Sequence, residues 1–155
     1  MRRKDREISE RNRIREIILS CHCCRLGFCD GGEVYIIPLN FGYEEKDGKR
    51  IFYFHGAREG RKIDLIAQTQ HAGFELDTGY ALIEAGTACQ HSARYQSVVG
   101  TGRVAIIGEP EEKRAALQTI MLHYTGKNDW DFPDAALGSV CVFKLEVEKL
   151  SCKEH

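Results

Sequence analysis

Arg61 and Lys62 stand where a glycine turn meets the predicted start of a helix. They follow the aromatic run 51–54, which is typical of a strand, and the glycines Gly56 and Gly60. A helix N-terminus carries unpaired N–H groups and a partial positive charge, so two cations there meet a like charge. An anion would relieve this conflict, and a phosphate is the usual one. The residues alone leave two interpretations open: a phosphate site, or two solvated surface cations.

Cysteines form a second group of residues that could do chemistry. The chain holds seven, and three of them lie in the run Cys21-His22-Cys23-Cys24. An odd count without a secretory signal favours reduced thiols over a disulfide framework. A metal site is the alternative, but no second Cys or His pair lies at zinc-site spacing, and alternate residues of a strand face opposite sides. We therefore predict buried structural thiols and no metal site.

The length and composition are those of one soluble globular domain, residues 1–155. With 22 Lys and Arg against 23 Asp and Glu, the formal net charge is −1, so no general attraction to nucleic acid or to an anionic membrane is expected. No apolar run approaches the ~20 residues that span a bilayer. The charged N-terminus lacks the apolar stretch of a secretory signal, so we expect a cytoplasmic protein.

Hydrophobic periodicity and turn residues predict six to seven strands and about three helices. Helices are predicted over residues 5–20 and 61–68 and from Pro110 to a cap at Gly126. Strands are predicted over residues 23–29, 33–43, 50–55, 73–77, 80–88, 95–107 and 139–147, with an irregular loop over 128–138 and a polar tail at the end.

Turn residues indicate how these strands pair. The segments Asp30-Gly31-Gly32 and Asp47-Gly48 predict hairpins and hence antiparallel neighbours. Pro38 marks an edge, a bulge or a bend, and Gly100 and Gly102 predict bending or close approach of two backbones. Half a dozen antiparallel strands avoid open edges best by closing into a barrel.

Several segments together match one family in order, over nearly the whole chain. They are Cys24–Gly27, Pro38–Tyr43, Phe54–Ala57, Glu59–Asp64, Ser97–Arg103 and His123–Gly126. On these segments the chain resembles the pyridoxamine 5′-phosphate oxidase-like FMN-binding split barrels, in the branch related to the nitroimidazole-resistance, or flavin-nucleotide-binding, proteins. The resemblance implies a mainly β fold with accessory helices, a six- to seven-stranded antiparallel split β-barrel. It also implies a homodimer with FMN in two clefts at the dimer interface.

The resemblance further implies which residues contact the cofactor. The second predicted strand would run beside the flavin ring, Arg61 and Lys62 would hold the phosphate, and another strand would approach the ring from the other side. The implied FMN-binding residues are Leu39, Asn40, Phe41, His55, Gly56, Ala57, Arg61, Lys62, Gln96, Ser97 and Val98.

Two histidines allow more than one role. His55 would bond FMN, contact a substrate or ligate haem if the cleft held haem instead, and its structural alternative is a bond to a backbone carbonyl. His123 lies near the predicted C-terminus of a helix, where a cation is favourable, so we expect a capping role. No residue is assigned to catalysis.

Three functions remain open. The first is an FMN-dependent oxidoreductase that passes electrons or hydride from a transient reduced donor to a small electrophile, such as a nitroaromatic or a nitroimidazole. The others are a haem-binding or haem-handling protein, and a non-enzymatic flavin carrier or sensor. The chain lacks the Arg- and Trp-bearing C-terminal segment with which true pyridoxamine phosphate oxidases hold pyridoxal phosphate, so vitamin B6 oxidation is not expected. It also lacks a dinucleotide fingerprint, so any nicotinamide donor would dock transiently.

Overall fold

The computed structural model describes residues 4–155, which form one antiparallel sheet with helices packed around it. Its strands are β1 (Glu7–Ile8), β2 (Cys24–Asp30), β3 (Glu33–Leu39), β4 (Gly42–Lys46), β5 (Lys49–Gly56), β6 (His71–Ile83), β7 (Ser92–Ile107) and β8 (Cys141–Glu154). Its helices are α1 (Arg11–Ser20), α2 (Arg61–Thr69), α3 (Pro110–Thr125) and α4 (Asp134–Ser139), with 3-10 turns at Lys4–Arg6 and Ala88–Gln90.

The strands follow the order β3-β2-β6-β7-β8-β5-β4, and β1 adds to β8. The path does not close between its outer strands β3 and β4, so the sheet is a split barrel, as the resemblance implied. Among residues 4–155 no helix is long and apolar enough to cross a membrane.

Two hydrophobic cores lie on opposite faces of the sheet. The barrel interior holds aromatic rings, including Phe52, Phe54 and Phe143, each 0% exposed. On the outer face, α3 covers Ile51 and Tyr53 of β5. Because β5 is buried on both faces, it reads as a continuous apolar and aromatic run rather than as an alternating one.

The predicted first helix begins later than the sequence indicated. Residues 5–10 were expected to be helical, but α1 starts at Arg11, where the Glu10 carboxylate accepts hydrogen bonds from the first free N–H groups. Glu7 and Ile8 instead pair with β8, opposite Lys153 and Cys152. The prediction was wrong there because a partner far along the chain competes for these residues.

The predicted strand over 33–43 is two strands. β3 ends at Leu39 and β4 begins at Gly42, because Phe41 turns its side chain into the core and its N–H leaves the ladder for the Tyr124 hydroxyl. Pro38 lies on β3, at the end of the sheet path, as predicted.

Three further boundaries differ from the predictions. The segments 73–77 and 80–88 belong largely to one strand, β6, with an irregularity between Thr78 and Ala81. The predicted polar tail is strand, because β8 continues to Glu154 along β7. The predicted loop over 128–138 contains most of α4.

Gly100 and Gly102 allow close contact between β7 and β8, which confirms the prediction. A Cβ at Gly100 would overlap the Lys149 carbonyl oxygen and the Phe74 ring, and one at Gly102 would overlap the Glu146 carbonyl oxygen. The register of β7 on β8 also shifts between Thr101 and Gly102, as expected of a bulge.

Candidate functional site

Lys62, in the first turn of α2, is the cation best suited to bind an anion. Its side chain is half-buried, and Nζ lies 5.6 Å from the centroid of the Phe143 ring. Within residues 4–155 this ammonium has no hydrogen-bond partner and no carboxylate within ion-pair distance. Burial lowers its pKa, since water is lost and no carboxylate replaces it. Gly56 provides the room, because a Cβ there would overlap Nζ.

Arg61, by contrast, is already held by a carboxylate. Its Nε donates to Asp30 Oδ2 at 2.8 Å, and its guanidinium carbon lies 4.8 Å from the centroid of the Tyr35 ring. α2 begins at Arg61 as predicted, after Gly60 with φ 115°. The charge conflict at this helix start is therefore relieved in part by Asp30, whereas Lys62 has no carboxylate partner in the part of the chain that the structure describes.

Arg58 and Lys113 add positive charge at the same end of the barrel, and the sequence reasoning missed both. Arg58 Nη1 donates to the Gly138 carbonyl at 3.0 Å, and Lys113 Nζ donates to the Val140 carbonyl at 3.2 Å. Carbonyl partners orient these cations without neutralising them. Arg58 could have been noticed because it lies in the same turn as Arg61, whereas Lys113 is distant in sequence.

His55 precedes the glycine turn at the end of β5, opposite Val142. Its ring makes no hydrogen bond within residues 4–155, so the alternative role, a bond to a backbone carbonyl, is not what the structure shows. Loss of hydration, and then the nearby Lys62 ammonium, lower the pKa of His55. A neutral imidazole is therefore favoured at pH 7. Ala57, the next residue but one, is exposed.

The corner between β3 and β4 contains Leu39, Asn40 and Phe41. Phe41 is 0% exposed and its ring lies 5.7 Å from that of Phe52, so it can offer a ligand only its backbone. Leu39 is half-buried against the core and Asn40 is exposed. Of the three, Asn40 has the side chain that a ligand can reach.

His123 caps a helix, but not its own. Its Nε2 donates to the carbonyl of Cys21, the C-cap of α1, at 2.8 Å. The end of α3 is formed by Gly126, as predicted, with φ 71° and its N–H bonded to the Leu122 carbonyl.

Gln96, Ser97 and Val98 lie at the far end of the sheet from Lys62. Val98 is 0% exposed, and Gln96 Nε2 donates to a Glu154 carboxylate oxygen at 2.7 Å. Ser97 is opposite Lys153 of β8, whereas His55 is opposite Val142. These two β8 positions are eleven residues apart (153 − 142), or ~36 Å at ~3.3 Å per residue. Within one chain, Gln96, Ser97 and Val98 therefore lie eleven positions along β8 from the residue that faces His55.

Two of the three cysteines in the run 21–24 are core residues, whereas Cys23 is half-buried and Cys29, further along, is exposed. Cys21 and Cys24 are 0% exposed, and the Cys21 thiol donates to the Ile17 carbonyl at 3.2 Å. Burial raises the pKa of Cys21 to about 12, so the thiol is protonated. Over the described part of the chain, no group of three His, Cys, Asp or Glu side chains is placed to hold a metal ion.

Comparison with known proteins supplies the family. The family model described as pyridoxamine 5′-phosphate oxidase matches residues 10–154. The chain belongs to the pyridoxamine 5′-phosphate oxidase family. No curated protein matches it in sequence.

Solved structures of similar fold agree with this membership in the pyridoxamine 5′-phosphate oxidase family. A candidate 5-nitroimidazole antibiotic resistance protein from Bacteroides thetaiotaomicron is 34% identical, with a TM-score of 0.83, over 96% of this chain and 86% of that one. The FAD and haem binding protein of Mycobacterium smegmatis shares the fold at 16% identity, with a TM-score of 0.83, over 96% of this chain and 73% of that one. The flavocytochrome Anf3 of Azotobacter vinelandii is 18% identical, with a TM-score of 0.80, over 100% of this chain and 72% of that one.

Proposed function

We propose that this protein binds FMN, with the phosphate at the start of α2. The observation that carries the proposal is the half-buried Lys62 ammonium, which has no carboxylate partner among residues 4–155. The donor set fits a phosphate, since Lys62 supplies a point charge and Arg58 and Arg61 can add forked donors. Arg61 would exchange or share its bond to Asp30.

The flavin ring would lie beside the corner between β3 and β4. Asn40 would bond its polar edge, and His55 would lie near it as a neutral ring, consistent with the lowered pKa. When bound, the flavin supplies the transfer of electrons or hydride, while these residues hold and orient it.

The proposed functional unit is a homodimer. Gln96, Ser97 and Val98 lie eleven positions along β8 from the His55 end, and we infer that they join the site from a second copy. Gln96 would contact the ligand through its side chain, and Val98, which is buried, through its backbone. Each of the two clefts would then contain Lys62 of one chain and Gln96 of its partner.

The proposed activity is that of an oxidoreductase, with a transient reduced donor and a small electrophile as acceptor. A nitroaromatic or nitroimidazole acceptor is favoured because the Bacteroides relative, described as a candidate 5-nitroimidazole antibiotic resistance protein, is 34% identical over 96% of this chain.

A haem ligand is the second candidate. His55 has no hydrogen-bond partner within residues 4–155 and a lowered pKa, and a neutral, unpaired imidazole is the form that ligates haem iron. The FAD and haem binding protein of Mycobacterium smegmatis shares the fold. A Soret band after hemin addition that disappears in His55→Ala would favour haem.

The test begins with an absorbance spectrum of the purified protein and a titration with FMN. We expect flavin bands, or saturable FMN binding, and roughly tenfold or greater weakening in Lys62→Met, since a charge-assisted bond is lost. Lys149→Met is the matched control, because that lysine is exposed on the distant half of β8. Equal FMN affinity in both variants would overturn the phosphate assignment.

Bleaching of bound flavin by NADH or NADPH, followed by reoxidation with a nitroaromatic, tests the activity.

A further inference from the structure

The hairpin between β2 and β3 holds Arg61 by one edge of its guanidinium group. Nε donates to Asp30 Oδ2 at 2.8 Å, and Nη2 lies 2.7 Å from the same oxygen. Nε and Nη2 form one edge of this planar group, so a single carboxylate oxygen occupies the whole edge. The neighbouring edge, which Nη1 and Nη2 form together, is not the one that Asp30 contacts.

The face of the same guanidinium group is supported as well. Its central carbon lies 4.8 Å from the centroid of the Tyr35 ring, which is a cation–π distance. Tyr35 is half-buried and packs against the barrel core, so its ring has a fixed place. The edge contact and the face contact together define both the plane and the direction of the Arg61 group.

The hairpin turn determines where Asp30 lies. Asp30 and Glu33 form the last pair of the β2–β3 ladder, and the turn residues Gly31 and Gly32 have φ values of 59° and 97°. A positive φ at both positions is the geometry of a tight two-residue hairpin, which leaves little freedom to the pair that closes it. The Asp30 carboxylate is therefore brought to the first residue of α2 by a defined turn.

The edge of Arg61 that remains is the one that suits a phosphate. Both hydrogens of Nη1 and one hydrogen of Nη2 are left, and the side chain is half-exposed. Two parallel N–H groups on one edge can bind two phosphate oxygens at once. Glu33 Oε2 lies 3.8 Å from Nη2, which is too far for a hydrogen bond, so this second carboxylate contributes charge but no hydrogen bond.

We propose that Asp30 is a positioning residue for phosphate binding, which keeps its bond to Arg61 and thereby presents the Nη1–Nη2 edge to the phosphate. This inference rests on the proposed binding of FMN with Arg61 at the phosphate. Arg61 bridges the two anions through two edges of one rigid group. A lysine could not replace it, because an ammonium is a point charge without a second fixed edge. The opposite role for Asp30 is that of a competitor, which the phosphate would have to displace.

The test measures binding of FMN and of riboflavin, which lacks the phosphate. Asp30→Ala is expected to weaken FMN binding roughly fivefold, because ordering a freed arginine side chain costs about that much, and to leave riboflavin binding unchanged. Asp30→Asn removes the same charge but keeps an acceptor for Nε–H, so it is expected to weaken FMN binding less. Glu33→Ala is the matched control. It removes a carboxylate of the same hairpin that has no hydrogen bond to Arg61, and it is expected not to weaken FMN binding.

Three results would overturn the positioning role of Asp30. Asp30→Ala might be found to bind FMN as tightly as Glu33→Ala or more tightly than the wild type, which is the behaviour of a bystander or a competitor. Asp30→Asn and Asp30→Ala could lose FMN affinity equally, in which case the retained acceptor has no effect. An equal loss of riboflavin and FMN binding in Asp30→Ala would show a general structural effect.

Variants of Arg61 separate this inference from the proposed function. Arg61→Lys is expected to lose as much FMN affinity as Arg61→Met, since only a fork with two edges can serve Asp30 and the phosphate together. Wild-type affinity in Arg61→Lys alone would contradict the shared arginine. Failure of the wild type to bind FMN, or an unchanged FMN affinity in Arg61→Met, would instead overturn the proposed phosphate site, and the inference with it.

Discussion

Gly56 determines whether Lys62 can occupy its position against the Phe143 ring. The ammonium fills the space in which any other residue would place a Cβ. The atom in contact is the end of a flexible side chain, so an added methyl group displaces Lys62 rather than the backbone. At the scale of single residues, binding and folding are therefore separable here.

Gly56→Ala is expected to weaken FMN or phosphate binding roughly tenfold while changing the free energy of unfolding by less than about 1 kcal/mol, because one charge-assisted bond is lost without a backbone clash. Gly27→Ala is the matched control, since a Cβ at that strand glycine meets no atom within 4 Å. Isothermal titration and urea denaturation measure the two quantities. A large loss of stability in Gly56→Ala with intact binding would contradict this view of the site.

His123 gives the fold a pH dependence. Burial lowers its pKa, and the nearby His22 adds to this, although the bond to the Cys21 carbonyl opposes it. The unfolded chain then binds a proton more readily than the folded one. We expect the free energy of unfolding to be highest above about pH 6.5, the ordinary pKa of histidine. It is expected to decrease as the pH drops below this value toward the lower pKa that His123 has in the folded protein.

His123→Phe is expected to be less stable at pH 7, because the bond to Cys21 is lost, but to show a shallower loss between about pH 6.5 and pH 5. Urea denaturation at several pH values measures this slope. An unchanged slope would mean that another group dominates the acid sensitivity.

At the scale of elements, α3 serves two purposes. Its middle covers the outer face of β5, and its last turn holds the corner with Asn40. The helix approaches β4 so closely that a Cβ at Gly42 would lie 2.6 Å from the backbone nitrogen of Ile120. Unlike the contact at Gly56, this one is with backbone and cannot relax through a side chain.

Gly42→Ala is expected to destabilise the protein by about 1–3 kcal/mol, since either helix or strand must move. Gly108→Ala is the control, because a Cβ there meets no atom within 4 Å. If the displaced helix carries Tyr124 with it, hydrogen exchange at Phe41 will also rise in Gly42→Ala. If the free energy of unfolding of Gly42→Ala differed from that of the wild type by less than about 0.5 kcal/mol, the usual spread of neutral surface substitutions, the close packing would be contradicted.

At the scale of the whole molecule, two copies are needed to complete the proposed site. Lys62→Gln and Gln96→Ala are each expected to bind FMN weakly as homodimers. When the two variants are mixed and allowed to exchange chains, half of the dimers carry both changes, and one of their two clefts has both native residues. About a quarter of the clefts should then regain native affinity.

Light scattering is expected to give about twice the chain mass of 17.6 kDa for each homodimer and for the mixture. Dimers without any recovery on mixing would mean that Gln96 and Lys62 do not serve the same cleft. Monomers that bind FMN fully would contradict the two-copy site altogether.

The sequence predicted those features that neighbouring residues determine. Gly60 and Gly126 mark helix ends at the expected places, because a positive φ is a local requirement. The split barrel and the family followed from the order of several short segments. What could not be predicted depends on residues far apart in the sequence. Arg61 donates a hydrogen bond to Asp30, and the N–H of Phe41 donates to the Tyr124 hydroxyl, which interrupts the predicted strand there. The positions of His55 and Ser97 opposite two distant residues of β8 depend on the register of that strand, which no local pattern reveals.

The place of β8 in the sheet has a consequence for biosynthesis. It pairs with β1, β5 and β7, all of which precede it in the chain, and its partner Glu7 is almost the whole sequence away from Lys153. During translation these three strands leave the ribosome before the strand that joins them exists. The strand edges that pair with β8 stay unpaired until β8 has been synthesised, and during that time they can associate with other chains. Non-local pairing of this kind also makes folding slow.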